Sequence, residues 1–318
     1  MFLIERELIN GFEVVTLVDA DTQTRARVVP NSGGILIAFE MPVDGKVVNI
    51  IDGYNSKIEF NESVTNLGFK GCKLSPFVCR LKNGSYDFGG NKNKIEKFYL
   101  GKHALHGLLY NCAFRVSHEQ VNDSYVSITM QYQYRKDDPG YPYNYDCSIT
   151  YKLERENKLT VYTEVNNLDK GLIPIQDGWH PYFTLSESID ELQMEFQSLK
   201  MVSFDDELIP TGQSIPYNEF GSLKVIGTST FDNCFELNFA ECQPMFVLRN
   251  PARKFQVEIL PDRSYPYLQI YTPPHRRSIA VENLSSPPDA FNNNMGLTIL
   301  ESGQKKIFTT SFKISIID

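Results

Sequence analysis

The 318-residue sequence reads as a large antiparallel all-β domain, on three grounds. Apolar residues recur with a period of two in several separate stretches, turn-forming residues divide those stretches, and apolar stripes of helical period are scarce. The first two stretches are Phe12 to Val18 and Arg25 to Val29, around a turn from Asp19 to Thr24. Val126, Ile128, Met130, Tyr132 and Tyr134 then alternate with polar residues. The pattern returns in Tyr145, Cys147, Ile149, Tyr151 and Leu153, and again in Leu159, Val161 and Val165. Each stretch turns one face to a core and the other away from it. Asp137-Asp-Pro-Gly140 and Glu154-Arg-Glu-Asn157 carry turn chemistry between them, so the three form an antiparallel meander. Phe308, Phe312, Ile314 and Ile316 extend the texture to the C-terminus, and the best helical pieces are short, such as Asp289 to Asn294. No linker, repeat or low-complexity tract divides the chain, and one domain spanning residues 1–318 is expected.

Composition narrows the function. Hydrophobic residues at 42% and charged residues at 22% exclude a disordered chain, and a net charge of −8 argues against general binding to nucleic acid or anionic membranes. No apolar run reaches the roughly 18 residues of a membrane-spanning helix. Glu5 and Glu7 interrupt any signal-peptide core, so the chain reads as cytoplasmic. Six cysteines show neither a C-x-x-C pair nor a zinc-ligand rhythm, and read as free thiols.

Five ionisable residues stand in unusual settings. His106 lies in Leu105-His-Gly107, where glycine permits close approach of backbone or ligand. His180 lies in Gly178-Trp-His-Pro-Tyr-Phe183, beside the one Trp, a rigid and partly dry place expected to pull its pKa toward the operating pH. Asp232 sits in Phe231-Asp-Asn-Cys-Phe235. Glu282 closes the apolar run Ser278-Ile-Ala-Val281 and faces a Pro-rich loop, a setting suited to a general base. Arg80 interrupts the apolar stretch of Ser75-Pro-Phe-Val-Cys-Arg80 and is expected to pair with an acid or a ligand. His103, His118 and His275 read as ordinary surface or structural residues, and Arg276-Arg277 as a solvated turn.

Together these segments resemble the aldose 1-epimerase (galactose mutarotase) family, in family order from about Asn31 to Phe312. Pro30-Asn-Ser-Gly-Gly34, the Arg80 segment, Leu105-His-Gly107, Gly140-Tyr-Pro-Tyr143, Phe231-Asp-Asn-Cys-Phe235 and Glu282 with Pro287-Pro-Asp-Ala-Phe-Asn292 are each similar to a family motif. Gly178-Trp-His-Pro-Tyr-Phe183 is the most specific single match. Two departures stand out: Gly107 is followed by Leu108-Leu-Tyr-Asn111 without a second glycine and a Trp, and Cys79-Arg80 replaces the Asn-Arg pair of the best-known members.

The resemblance implies a β-supersandwich that interconverts the α and β anomers of an aldohexose by general acid and base catalysis, without cofactor or metal. It implies Glu282 as base, His180 as acid, His106 as support for the ring oxygen, and Arg80 and Asp232 as hydroxyl binders. The implied partner is a small free sugar, in a monomer or homodimer. Free aldohexose is expected over sugar phosphate, because Arg80 is the one cation in these motifs, although Lys82, Arg276 and Arg277 lie close in sequence.

Rival readings are a hexose-6-phosphate epimerase, a glycosidase using Asp232 and Glu282, a non-catalytic sugar binder, and a metal site of two histidines and a carboxylate. His106 and His180 are far apart in sequence with no ligand-spaced partner, so the sequence offers nothing positive for metal.

Overall fold

The computed structural model describes residues 1–317. Its architecture is a β-supersandwich built on two large antiparallel sheets. The expected meander forms the middle of a nine-stranded sheet. Tyr125–Arg135, Asn144–Glu154 and Lys158–Asn167 pair in continuous register, and Lys305–Ile316 joins against Lys158–Asn167. The period-two residues of the sequence are the buried ones: Val126, Ile128, Met130, Cys147, Ile149, Leu159 and Val161 all lie in the main core. Phe255–Ile259, Phe246–Asn250, Gln193–Phe196 and Lys224–Val225 complete one side of this sheet, and Arg115–Val121 forms its exposed edge.

The stretches at Phe12 and Arg25 become Phe12–Asp19 and Thr24–Val29, inside a five-stranded N-terminal sheet. Helix is confined to short pieces. Lys57–Ser63 is capped by the Ser56 hydroxyl, which accepts from the Glu59 amide at 3.1 Å, and is held down by buried Phe60. Ala290–Asn293 is a single turn bounded by left-handed Asp289 and Asn294.

The eight-stranded sheet carries the site. Its path runs Pro210–Pro216, Ser198–Phe204, Asp232–Leu237, Tyr267–Tyr271, Ile279–Leu284, Gly178–His180 and Cys72–Leu74, with Tyr182–Phe183 also paired to Ile279–Leu284. Its back lies against the nine-stranded sheet: Thr310 of Lys305–Ile316 donates to Asn283 Oδ1 at 2.7 Å, and Trp179 meets the Tyr151 ring at 5.9 Å between centroids. Side chains alternate across a strand. With Trp179 and Asn283 turned inward, their neighbours His180 and Glu282 are presented on the opposite, concave face.

A buried polar bolt fixes the two strand ends that carry these residues. Lys73 pairs with Asp177, both fully buried, and also donates to the Gly178 carbonyl at 3.1 Å. The Lys73 ammonium lies 4.5 Å above the Trp179 ring, and the Tyr265 hydroxyl donates to Asp177 at 2.6 Å. Asp177 and Ser285 exchange backbone and hydroxyl hydrogen bonds at 2.9 Å, and Gln176 donates to the Ser286 hydroxyl at 2.8 Å. A buried charge is tolerated only when paired and hydrogen-bonded, and here every contact also clamps one strand end to the other.

Candidate active site

Arg80, His106, His180, Asp232 and Glu282 line one cleft of about 240 Å³ on the concave face. Their convergence follows from strand order. Asp232–Leu237, Tyr267–Tyr271, Ile279–Leu284 and Gly178–His180 are successive neighbours, so Asp232, Glu282 and His180 come from three strands of one patch of sheet. Arg80 and His106 enter from a small neighbouring sheet, in which Leu105 pairs with Arg80.

Two loop residues hold unusual backbone shapes to reach the cleft. Cys79 and His106 both adopt left-handed conformations, at φ 47° and 60°, and the His106 amide donates to the Cys79 carbonyl at 2.9 Å. Gly107 follows at φ +76°, where an added Cβ would lie 2.3 Å from the Ser75 carbonyl oxygen. Non-glycine residues in this region are strained and recur at functional sites.

At the floor of the cleft, His180 Nε2 lies 3.3 Å from Glu282 Oε1, with both side chains almost fully buried. The other carboxylate oxygen of Glu282 is 3.8 Å from Cys79 Sγ. His180 stacks on Tyr182 at 5.2 Å with an 8° interplanar angle and meets His106 edge-on at 4.9 Å; His106 in turn packs on Phe69. Gln269 pairs with Glu282 across the sheet and donates to Asp232 Oδ1 at 2.9 Å, while its own Oε1 is buried without a protein partner. The Arg80 side chain forms no ion pair or hydrogen bond with another described residue.

Burial sets the protonation of the floor. It holds His180 far down, to about 3, rather than near the operating pH as its sequence setting suggests, because the ring has no water to stabilise an imidazolium. His106 is lowered by burial and then by the charges of His180 and Arg80. Glu282 is pushed well above the ordinary carboxylate range, chiefly by burial and next by Asp232. Asp232 is raised by burial, against the pull of Arg80 and the Gln269 amide. Burial therefore favours the uncharged pair, carboxylic acid with imidazole, over carboxylate with imidazolium. Moving the proton between carboxylate and imidazole needs no net change in charge.

The sequence missed Gln269 and the contact role of Cys79. A polar residue inside Tyr267-Leu-Gln-Ile-Tyr271 was the available signal for the first. Other expectations change too. His103 is buried, its Nδ1 accepting from the Asn83 amide at 3.0 Å, and so belongs to the architecture of the loop after Arg80. Arg276 is no solvated turn residue: it pairs with Asp190 and donates to the Ser229 carbonyl at 3.1 Å and the Gly227 carbonyl at 2.6 Å. Arg277 lines a second, polar cavity of about 490 Å³ with Lys70, Asp52 and His275, which adjoins the first through Asn66, Gly68, Tyr182 and Tyr271.

The concave face thus gathers two histidines, a buried acid–imidazole couple and Arg80 in one cleft. The sequence profile of the family described as aldose 1-epimerase matches residues 14–313, and the chain belongs to the aldose 1-epimerase family of isomerases. The chain is 25% identical over 317 residues to an aldose 1-epimerase of Streptococcus thermophilus, covering 89% of each. It is also 26% identical over 246 residues to the uncharacterized protein YihR of Escherichia coli K12, covering 75% of this chain and 77% of that one. Among solved structures, a galactose mutarotase-like protein of Clostridium acetobutylicum superposes with a TM-score of 0.86 at 17% identity over 99% of both chains. A galactose 1-epimerase of Lactobacillus acidophilus gives 0.80 at 18% identity, covering 100% of this chain and 99% of that one. No helix of the described residues is long and apolar enough to cross a membrane.

Proposed function

We propose that the protein is an aldohexose 1-epimerase, in which Glu282 and His180 exchange protons with the two oxygens of the anomeric carbon. The observation that carries this reading is the 3.3 Å Glu282–His180 couple, buried at the floor of a sugar-sized polar cleft. Ring opening starts from the tautomer in which the proton of the couple sits on His180: Glu282 takes the proton of the C1 hydroxyl as His180 delivers one to the ring oxygen, and the C1–O bond of the ring breaks as the carbonyl forms. Rotation about C1–C2 presents the other carbonyl face, and closure returns both protons. Carboxylate with imidazolium, and carboxylic acid with imidazole, are the two ends of this half-reaction, so a couple holding one proton suits both directions.

The surrounding groups have roles consistent with this. His106, edge-on to His180, supports the ring oxygen; Arg80 donates to hydroxyls, and Asp232, oriented by Gln269, accepts from them. Tyr182 and Phe69 fix the imidazoles from behind. The test is NMR exchange spectroscopy over a panel of free and 6-phosphorylated aldoses. Exchange between anomers of at least one free aldohexose well above the spontaneous rate is expected; spontaneous rates throughout would remove the assignment.

A further inference from the structure

One corner of the cleft sets two residues of the proposed sugar chemistry beside a thiol that this chemistry does not use. Cys79, His106 and Glu282 are all buried, and each offers one ligand-capable atom within 4.8 Å of the others. His180 Nε2 lies beside this group, 3.3 Å from Glu282 Oε1. Nδ1 of each histidine is buried with no protein partner. In sequence a metal site of two histidines and a carboxylate is a rival reading, but Cys79 is not part of it, because the donors come from distant segments. The hydrogen bond between the left-handed residues Cys79 and His106 is what aims thiol and imidazole at one point.

We propose that Cys79, His106 and Glu282, with His180 in reach, form a binding site for a borderline-soft divalent cation of the Zn²⁺ type, and that the bound cation excludes sugar. Bond lengths of about 2.0–2.3 Å to Zn²⁺ place tetrahedral ligand atoms roughly 3.3–3.7 Å apart. The Cys79 Sγ–Glu282 Oε2 contact at 3.8 Å lies just above this range, and the three ligand atoms all lie within 4.8 Å of one another. Thiolate and carboxylate together offset the double positive charge, so the filled corner is neutral in its dry surroundings. The thiol proton and the proton of the Glu282–His180 couple both leave to solvent. A thiolate among the ligands favours Zn²⁺ or Co²⁺ over Mg²⁺ or Ca²⁺. Coordination uses the lone pairs of Glu282 and His180 that proton transfer would need, which makes the site inhibitory.

Cobalt reports the thiolate directly. The full chain is used with Cys242→Ser, which removes the exposed cysteine. Titration with Co²⁺ should give a sulfur-to-cobalt charge-transfer band saturating at one equivalent, bleached by Zn²⁺ and unaffected by Mg²⁺. Calorimetry should show Zn²⁺ binding that weakens at least tenfold in Cys79→Asn and in His106→Ala. Galactose or another turned-over aldose should bleach the band. Absence of the band in the folded parent protein would overturn the site even if neither variant folds; so would a band or a Zn²⁺ affinity that survives Cys79→Asn. Charge transfer without epimerase activity would count against the proposed function alone, and epimerase activity without charge transfer would count against the metal site alone.

Discussion

Glu282 sits where a carboxylate is least comfortable, buried at the end of an apolar strand with Asp232 near it and an imidazole as its ionisable contact. That discomfort is useful to a base, because it raises the drive to accept a proton. Glu282→Gln keeps the volume and can still bind a hydroxyl, yet cannot take the C1 proton. Its anomerisation rate should fall by about 10²- to 10⁴-fold, with a similar loss for His180→Asn and a double loss well short of the product. Polarimetry corrected for the spontaneous reaction measures all three; a Gln variant keeping more than about a tenth of native rate would move the base elsewhere.

The same burial makes a stability prediction with a definite sign. Unfolded, the two groups titrate near 4.5 and 6.5; folded, Glu282 is raised and His180 lowered to about 3. Between those unfolded values the raised carboxyl and the lowered imidazole act on stability in opposite directions. A raised carboxyl keeps its proton at a pH where the unfolded one has released it, so native stability falls as pH rises through the raised Glu282 value. Glu282→Gln removes that loss. Its free energy of unfolding relative to native, from urea titrations, should therefore climb as pH rises above about 4.5, at a limiting slope of roughly 1.4 kcal/mol per pH unit. A difference that stays constant or shrinks over this range would contradict the assignment of burial as the cause.

At the scale of the elements, the Lys73–Asp177–Tyr265 bolt behind the cleft should dominate local stability. Lys73→Met leaves the buried Asp177 carboxylate without its cation and should cost about 3–5 kcal/mol by urea unfolding. Adding Asp177→Asn should recover part of that cost, since the stranded charge disappears; a double variant no more stable than the single one would argue against charge as the reason. The strands themselves were legible, because alternation at Val126, Ile128 and Met130 or at Tyr145, Cys147 and Ile149 states which face is buried. The bolt was not. Lys73 and Asp177 look like ordinary surface charges in sequence, and only pairing across neighbouring strands makes them interior. The same holds inside the site: His180 and Glu282 were visible from their local settings, whereas Gln269 and Cys79 gain meaning only from the strand and loop that the fold sets beside them.

For the whole molecule, charge and cavity layout bear on which sugars are used. A phosphate site recruits clustered arginines or a helix N-terminus. Two cations near this cleft are engaged, Arg276 with Asp190 and two carbonyls and Lys70 with Asp52 at 2.6 Å, which leaves Arg80 as the cation lining the cleft itself. Arg277 alone faces the adjoining cavity without an ion pair among the described residues, and Asp52 and Glu59 share that cavity with it. A net charge of −8 further repels a dianion on approach. Free glucose or galactose should accordingly show a higher kcat/KM than the corresponding 6-phosphate. Arg277→Ala should leave turnover of the free sugar within about twofold, since an exposed side chain outside the cleft contributes little to its chemistry. The decisive measurement is kcat/KM for each pair, by exchange spectroscopy at low and at moderate salt. If the 6-phosphate wins, if its advantage fades with salt, and if Arg277→Ala abolishes it, the adjoining cavity is a phosphate pocket and the substrate a sugar phosphate.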